Sequence, residues 1–180
     1  MARVPYVSPD DLDPEYRDYV VSALQGKPLH VYASIANNPA VLAGLRAFLR
    51  SLWTDSGLTE RQRELVILTV AAEDAADYEW HQHVNIATGV GLTREEIAAI
   101  AADDLGDFPP EEVALVEYAR AAFHGEVTDD LHEAVAEAFG TEAVVGAAAT
   151  VAGYLGLARV IDALGVELED GDEFVGWELD

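Results

Sequence analysis

The sequence predicts an all-α protein, because apolar residues recur at helical spacing almost throughout and no stretch alternates apolar with polar as a half-buried strand would. Helix-start signals punctuate the chain repeatedly, which supports the same reading. With 180 residues, 51% of them apolar, the chain is long and hydrophobic enough for one domain with a real core. We expect about seven to eight helices in a compact arrangement.

The elements follow from their punctuation. Ser8-Pro9-Asp10 opens a helix expected to end near Gly26, and Asn38-Pro39 opens one that runs to about Trp53, since proline suits a first helical turn. Thr59, followed three residues later by Gln62, makes a capping box for a helix reaching about Ala75. A joint over Asp74 to Asp77 leads into a helix that ends near Gly89 or Gly91. Thr93 with Glu96 is a second capping box, and Pro109-Pro110 starts a helix carrying Val113, Val116, Ala119 and Phe123 at helical spacing. Thr128 and Thr141 open the last two.

The final helix, from Thr141 to about Leu164, holds Gly146, Gly153 and Gly156 among many alanines. Glycine lowers helix propensity, so close packing has to compensate. Its apolar surface extends around much of the helix, which places it at the centre of the subunit or in a subunit contact. Residues 1–168 are expected to form a single helical domain. Residues 169–180 read as an acidic tail, with Phe174 and Trp177 as anchors onto a neighbour.

The informative segment runs from Thr59 to Gly91. On a wheel of about 100° per residue, the second of its two helices shows an apolar stripe of Ala76, Trp80, Ile86, Ala87 and Val90. Glu79 and His83 fall inside that stripe, one turn apart. His81, Gln82, Asn85 and Thr88 lie on the opposite side, so His81 and His83 point apart. On the preceding helix Glu64 sits at the centre of the stripe made by Ile67, Leu68, Ala71, Ala72 and Ala75. An unpaired buried carboxylate costs several kcal/mol unless it finds a partner or a proton. Mutual pairing of Glu64, Glu79 and His83 is the natural remedy, and such a cluster can hold a proton near neutral pH and pass it to a ligand. The bland alternative is a polar network that fixes helix register. Two carboxylates and an imidazole also suit a divalent metal, although no further inward ligand is evident on these helices.

The spacing of Glu64, then Glu79 with His83 four later, in the context REL-x-IL-x-VA, YEW-x-x-H and GL-T-x-EEI, resembles the carboxymuconolactone decarboxylase family, which includes the alkylhydroperoxidase-D-like proteins. The likeness covers about Leu29 to Leu164 and is strongest in Leu58 to Ile97. It implies a helical alkylhydroperoxidase-D-like domain, and trimers or hexamers with sites near subunit boundaries. In the peroxidase branch a Glu precedes Cys-x-x-Cys and a His. Residue by residue, the Glu falls on Glu64, the cysteines on Ala76 and Glu79, and the His on His83. This chain has no cysteine, so the branch's disulfide chemistry is closed to it. What the resemblance leaves is the acid/base half, as in the cysteine-free lactone decarboxylases, with Glu79 or His83 as proton donor and Glu64 orienting the imidazole. Tyr78 and Trp80 are candidates to line a substrate pocket, or are core aromatics. Tyr154 and Arg159 are further candidates for a pocket or interface. No cofactor is expected, and the substrate is a small carboxylated or lactone molecule. The competing reading is a non-catalytic or metal-binding oligomer. Elsewhere, His124 and His132 read as solvated surface, and His30 carries no legible signal.

Charge narrows the partners. The chain has 34 acidic and 10 basic side chains, a net charge of −24, and Lys27 is its only lysine. Nucleic-acid backbones need clustered Lys and Arg, so neither they nor anionic membranes are expected partners. Met1 to Asp11 has no apolar core for a secretion signal, and the expected location is the cytoplasm. The spread acidic excess suits a high-salt cytoplasm, where carboxylates keep a surface hydrated, against the alternative of an acidic mesophilic protein. Added KCl is therefore expected to raise the melting temperature, and destabilisation by salt in the same scan overturns the halophilic reading.

Overall fold

The computed structural model describes residues 1–179, and its regular structure is helical. In chain order these are α1 (Arg17–Val20), α2 (His30–Ile35), α3 (Pro39–Thr54), α4 (Glu60–Glu73), α5 (Asp77–Gly89), α6 (Arg94–Ala102), α7 (Pro110–His124) and α8 (Asp129–Leu164). A 3-10 turn at Pro9–Asp11 precedes them. Among the described residues the only strand-like pairing is an isolated antiparallel bridge between Val21 and Pro28. The chain divides into two compact units, Met1–Arg50 with Arg159–Glu173, and Ser51–Ala158 with the segment from Phe174 onward.

In the first unit the expected helix from Ser8 to Gly26 does not form. Leu12 is extended, with ψ 153°, and Asp13 precedes Pro14, whose ring disfavours helical backbone at the residue before it. Only the 3-10 turn and the four residues of α1 survive, and Val21 is extended again where it meets Pro28. The apolar positions are nevertheless used. Val20, Leu29, Val31, Ile35 and Leu42 are buried, and the Arg46 guanidinium lies 4.2 Å above the Tyr32 ring while donating to the Val21 carbonyl at 3.3 Å.

The second unit is built around α4, which packs on α5, α6 and α7. Both predicted capping boxes form. Gln62 N donates to Thr59 Oγ1 at 3.3 Å while Thr59 N donates to Gln62 Oε1 at 2.9 Å, and Thr93 with Glu96 repeats the arrangement. From Arg63 to Ala71 every residue of α4 is buried, so this helix has no solvent face through its centre. That burial explains why its polar residues must pair with neighbours.

The joint between α4 and α5 is a tight left-handed stop. Ala76 N donates to the Ala71 carbonyl at 2.9 Å and Ala75 N to the Ala72 carbonyl at 3.2 Å, with Ala75 at φ 49°. This is a Schellman ending with alanine where glycine is usual, at a cost of about 1–2 kcal/mol. The chain turns within the three residues Asp74 to Ala76 and α5 packs back on α4.

The two helices expected after Thr128 and Thr141 are continuous in α8 except at Gly140, whose φ of 86° and ψ of 162° break the helical path. Beyond the break, Gly146 lies against Ser56, and a Cβ there would overlap the Ser56 carbonyl. The close packing inferred for this glycine-rich helix is present at that point. By length and composition α8 could cross a membrane, and the greater part of its apolar stretch is buried in the protein's own interior.

The C-terminal residues do not reach out as the anchors expected from the sequence. Trp177 packs 4.7 Å from Trp80, Phe174 packs 5.5 Å from Trp177, and Trp80 Nε1 donates to the Gly176 carbonyl at 2.8 Å. A buried indole N–H needs an acceptor, and this chain's own terminal segment supplies it. Arg94 adds a hydrogen bond to the Leu179 carbonyl at 3.2 Å.

Two ion networks tie the helices of this unit together. Arg61 on α4 grips Glu112 of α7 at 2.8 Å and Glu96 of α6 at 2.6 Å. Hydrogen bonds to Glu112 and then Glu96 hold the guanidinium charged well above its ordinary range, and the Arg61 hydrogen bonds hold the Glu96 carboxyl below its own. Glu73 bridges Arg120 and His124 at the other end of α4. Burial alone would raise that carboxyl, but the hydrogen bonds from His124 and Arg120 outweigh it and lower it.

Two consequences are measurable. Gly146→Ala should destabilise the protein by about 1–3 kcal/mol in denaturant unfolding, and an unchanged midpoint would mean the contact with Ser56 is not tight. Glu96→Gln keeps a residue able to complete the capping box but removes the charge. Because the folded Glu96 value lies below its ordinary 4.5, its contribution is present above that pH and fades as pH falls through the lowered value. The variant should lose up to about 1 kcal/mol near neutral pH, with the difference closing on acidification.

Candidate functional site

The fully buried course of α4 and its short connection to α5 set two polar side chains face to face. Glu64 has 0% exposure, and on α5 the His83 imidazole is nearly as enclosed. His83 Nδ1 lies 2.7 Å from Glu64 Oε2. With Glu64 ionised its oxygens only accept, and the bond would then use a proton on Nδ1 and leave Nε2 as the nitrogen able to gain or give one. A carboxylate behind one imidazole nitrogen, with the second nitrogen outside that bond, is an arrangement suited to proton transfer.

The other carboxylate oxygen is also held. Arg63 Nε donates to Glu64 Oε1 at 3.3 Å, and both side chains are buried. The Arg63 guanidinium stacks 4.0 Å from the Trp53 ring and Nη1 donates to the Trp53 carbonyl at 3.1 Å. Trp53 Nε1 then donates to the Tyr154 hydroxyl at 2.8 Å, and the Tyr154 ring stands edge-on to His83 with centroids 5.1 Å apart. The Trp53 and His83 rings lie 6.1 Å apart. Five side chains from α3, α4, α5 and α8 thus close on one another around the carboxylate. A buried ion pair is tolerable only with such additional bonds.

The sequence-predicted residues divide. Glu64 and His83 are brought into direct contact. Glu79 is buried in the first turn of α5. Among the described residues no three His, Asp or Glu side chains are grouped to hold a metal ion, so Glu64, Glu79 and His83 do not converge as a three-ligand set. The wheel brings Glu79 and His83 to one stripe, but only the packing of α4 on α5 decides which of them meets Glu64. Tyr78 is buried at the start of α5. Trp80 lies in the hydrophobic core, with its N–H taken by Gly176. His81, expected on the solvent side, is buried, because α5 is covered on more than its apolar stripe. Arg159 pairs with Asp162 at 3.4 Å on the surface, and His124 and His132 are exposed. His30 stacks on Tyr6 at 4.0 Å. Arg63 and Trp53 were not legible as site residues. Arg63 stands inside the REL motif, and its only signal was a second charge beside Glu64 on a helix otherwise apolar through its centre.

Comparison with known proteins places these observations. The model of the carboxymuconolactone decarboxylase family matches residues 39–121, a stretch that holds Trp53, Arg63, Glu64, Glu79 and His83. No curated protein matches the chain. Among solved structures, an uncharacterized peroxidase-related protein from Ralstonia eutropha JMP134, described as an alkylhydroperoxidase AhpD core, is similar over 99% of this chain and 97% of its own, with 23% identity and a TM-score of 0.85. The debrominase Bmp8 is similar over 87% of each chain, with 17% identity and a TM-score of 0.76. A protein of unknown function from Agrobacterium tumefaciens is similar over 74% of this chain and 94% of its own, with 18% identity and a TM-score of 0.68. At such identities the likeness establishes the fold. The chain has the all-helical alkylhydroperoxidase-D-like fold, and its residues 39–121, which match the carboxymuconolactone decarboxylase family model, contain no cysteine.

Proposed function

We propose that this protein is an acid/base enzyme of lyase type, acting on a small carboxylated or lactone substrate in the manner of 4-carboxymuconolactone decarboxylase. The observation that carries the reading is the bond between Glu64 and His83 at 2.7 Å, made where Glu64 has 0% exposure. Without a cysteine the chain lacks the nucleophile for thiol-dependent peroxide reduction, and Glu64 and His83 are the groups suited to move protons.

In the proposed reaction the bond between the substrate carbon and its carboxylate breaks and CO2 leaves. The electron pair passes into the conjugated lactone, which takes a proton from protonated His83 at Nε2. Glu64 stabilises the imidazolium before the transfer, and solvent restores the proton after it. Apolar walls would raise the energy of the substrate carboxylate relative to neutral CO2. In this reading His83 is the catalytic residue, Glu64 orients it, and Glu79 is the competing donor. A small-molecule substrate, a homo-oligomeric assembly and a cytoplasmic setting belong to the same proposal.

The test is CO2 release from 4-carboxymuconolactone by the purified protein in concentrated KCl, with His83→Ala and Glu79→Gln alongside. Release in the wild type that falls on the order of 10²–10⁴-fold in His83→Ala, with folding intact, is the expected result. Loss in Glu79→Gln with full activity in His83→Ala would move the donor to Glu79. Equal turnover in all three would defeat the reading and leave the buried pair as a device that fixes helix register.

A further inference from the structure

We propose that Arg63 is a positioning residue that sets where the proton sits in the Glu64–His83 pair, and so keeps the proton of the neutral imidazole on Nδ1. The proposal rests on the reading of His83 as the proton-transfer group. It starts from the way the two carboxylate oxygens are divided: Oε1 accepts from Arg63 Nε and Oε2 faces His83 Nδ1. The groups in contact with the imidazole or its carboxylate are Glu64 and Arg63 from α4, Trp53 from α3 and Tyr154 from α8, while Glu79 is a further buried carboxylate one turn earlier on α5. Among the contacts around Glu64, Arg63 is the permanent cation, since an imidazole is charged only when protonated.

At 0% exposure, a carboxylate facing only a neutral imidazole has a cheaper alternative to ionisation. It takes up a proton, becomes a donor, and turns Nδ1 into the acceptor. The imidazole then carries its proton on Nε2 as a neutral ring, a far weaker acid than the imidazolium from which the proposed reaction draws its proton. Arg63 removes that alternative by compensating the carboxylate from the other side. The guanidinium is itself held in place, stacked on Trp53 at 4.0 Å and bonded to the Trp53 carbonyl at 3.1 Å. Trp53 is tethered through Nε1 to Tyr154, whose ring edge meets His83. The closed ring of contacts thus holds the cation at the back of the carboxylate and the imidazole at its front.

The test reads the protonation pattern directly and needs no substrate. In the full-length 15N-labelled protein, long-range 1H–15N correlations report whether each His83 nitrogen is pyrrole-type or pyridine-type, with the His83 signals assigned by their loss in His83→Gln. The expected wild-type pattern, above the imidazole's titration, is pyrrole-type Nδ1 and pyridine-type Nε2. In Arg63→Met the two are expected to exchange, while Arg63→Lys, which keeps the charge, retains the wild-type pattern. Turnover should fall on the order of 10²-fold in Arg63→Met and recover in part in Arg63→Lys. An unchanged pattern in folded Arg63→Met overturns the proposal. Should that variant fail to fold, Arg63→Lys decides, since an exchanged pattern there overturns it equally. If the wild type releases no CO2 but the resonances behave as stated, the substrate reading fails and the role of Arg63 stands. Turnover that survives Arg63→Met with the pattern unchanged has the opposite meaning.

Discussion

A carboxylate with no access to water, on a helix buried through its centre, is the constraint from which the second unit of this protein is organised. Glu64 cannot be hydrated, so its two oxygens have to be met by protein groups. Arg63 and His83 meet them from opposite sides. Each of those partners is in turn buried and brings its own requirement. Arg63 is satisfied by Trp53, Trp53 by Tyr154, and Tyr154 packs against His83. A chain of obligations that begins at one carboxylate thus recruits residues from α3, α4, α5 and α8.

The helix ends serve the same arrangement. A left-handed alanine at position 75 reverses the chain abruptly between α4 and α5, which is what allows Glu64 and His83, nineteen residues apart, to face each other. At the two ends of α4 the Arg61 and Glu73 networks fasten it to α6 and α7. Those outer networks remain partly exposed and contribute modestly, as surface pairs do. The inner network is enclosed, and there the loss of one partner would strand a charge. The division between the two kinds of ion pair matches the division between scaffold and site.

The site contains no thiol, because the chain has no cysteine. Glu79 is buried in the first turn of α5, and Glu64 and His83 meet in an enclosed setting. The proposed acid/base reading rests on that pair.

Much of this protein was legible in its sequence. The capping boxes at Thr59 and Thr93, the prolines before α3 and α7 and the inward placement of Glu64 and His83 are local properties, decided by hydrogen bonds and periodicity within a few residues. The expected first helix failed because the bias of Pro14 against helical backbone at Asp13 acted against an otherwise helical pattern. The burial of His81 and the inward turn of Phe174 and Trp177 depended on what covers α5, which no periodicity reports. The same holds at the site. The sequence by itself determined which polar residues face inward on α4 and α5, because a side chain's direction on a helix follows from its position. Only the tertiary structure decided that His83 is the one bonded to Glu64, and that Arg63, Trp53 and Tyr154 complete the enclosure, because contacts between helices depend on their packing, which local spacing does not encode.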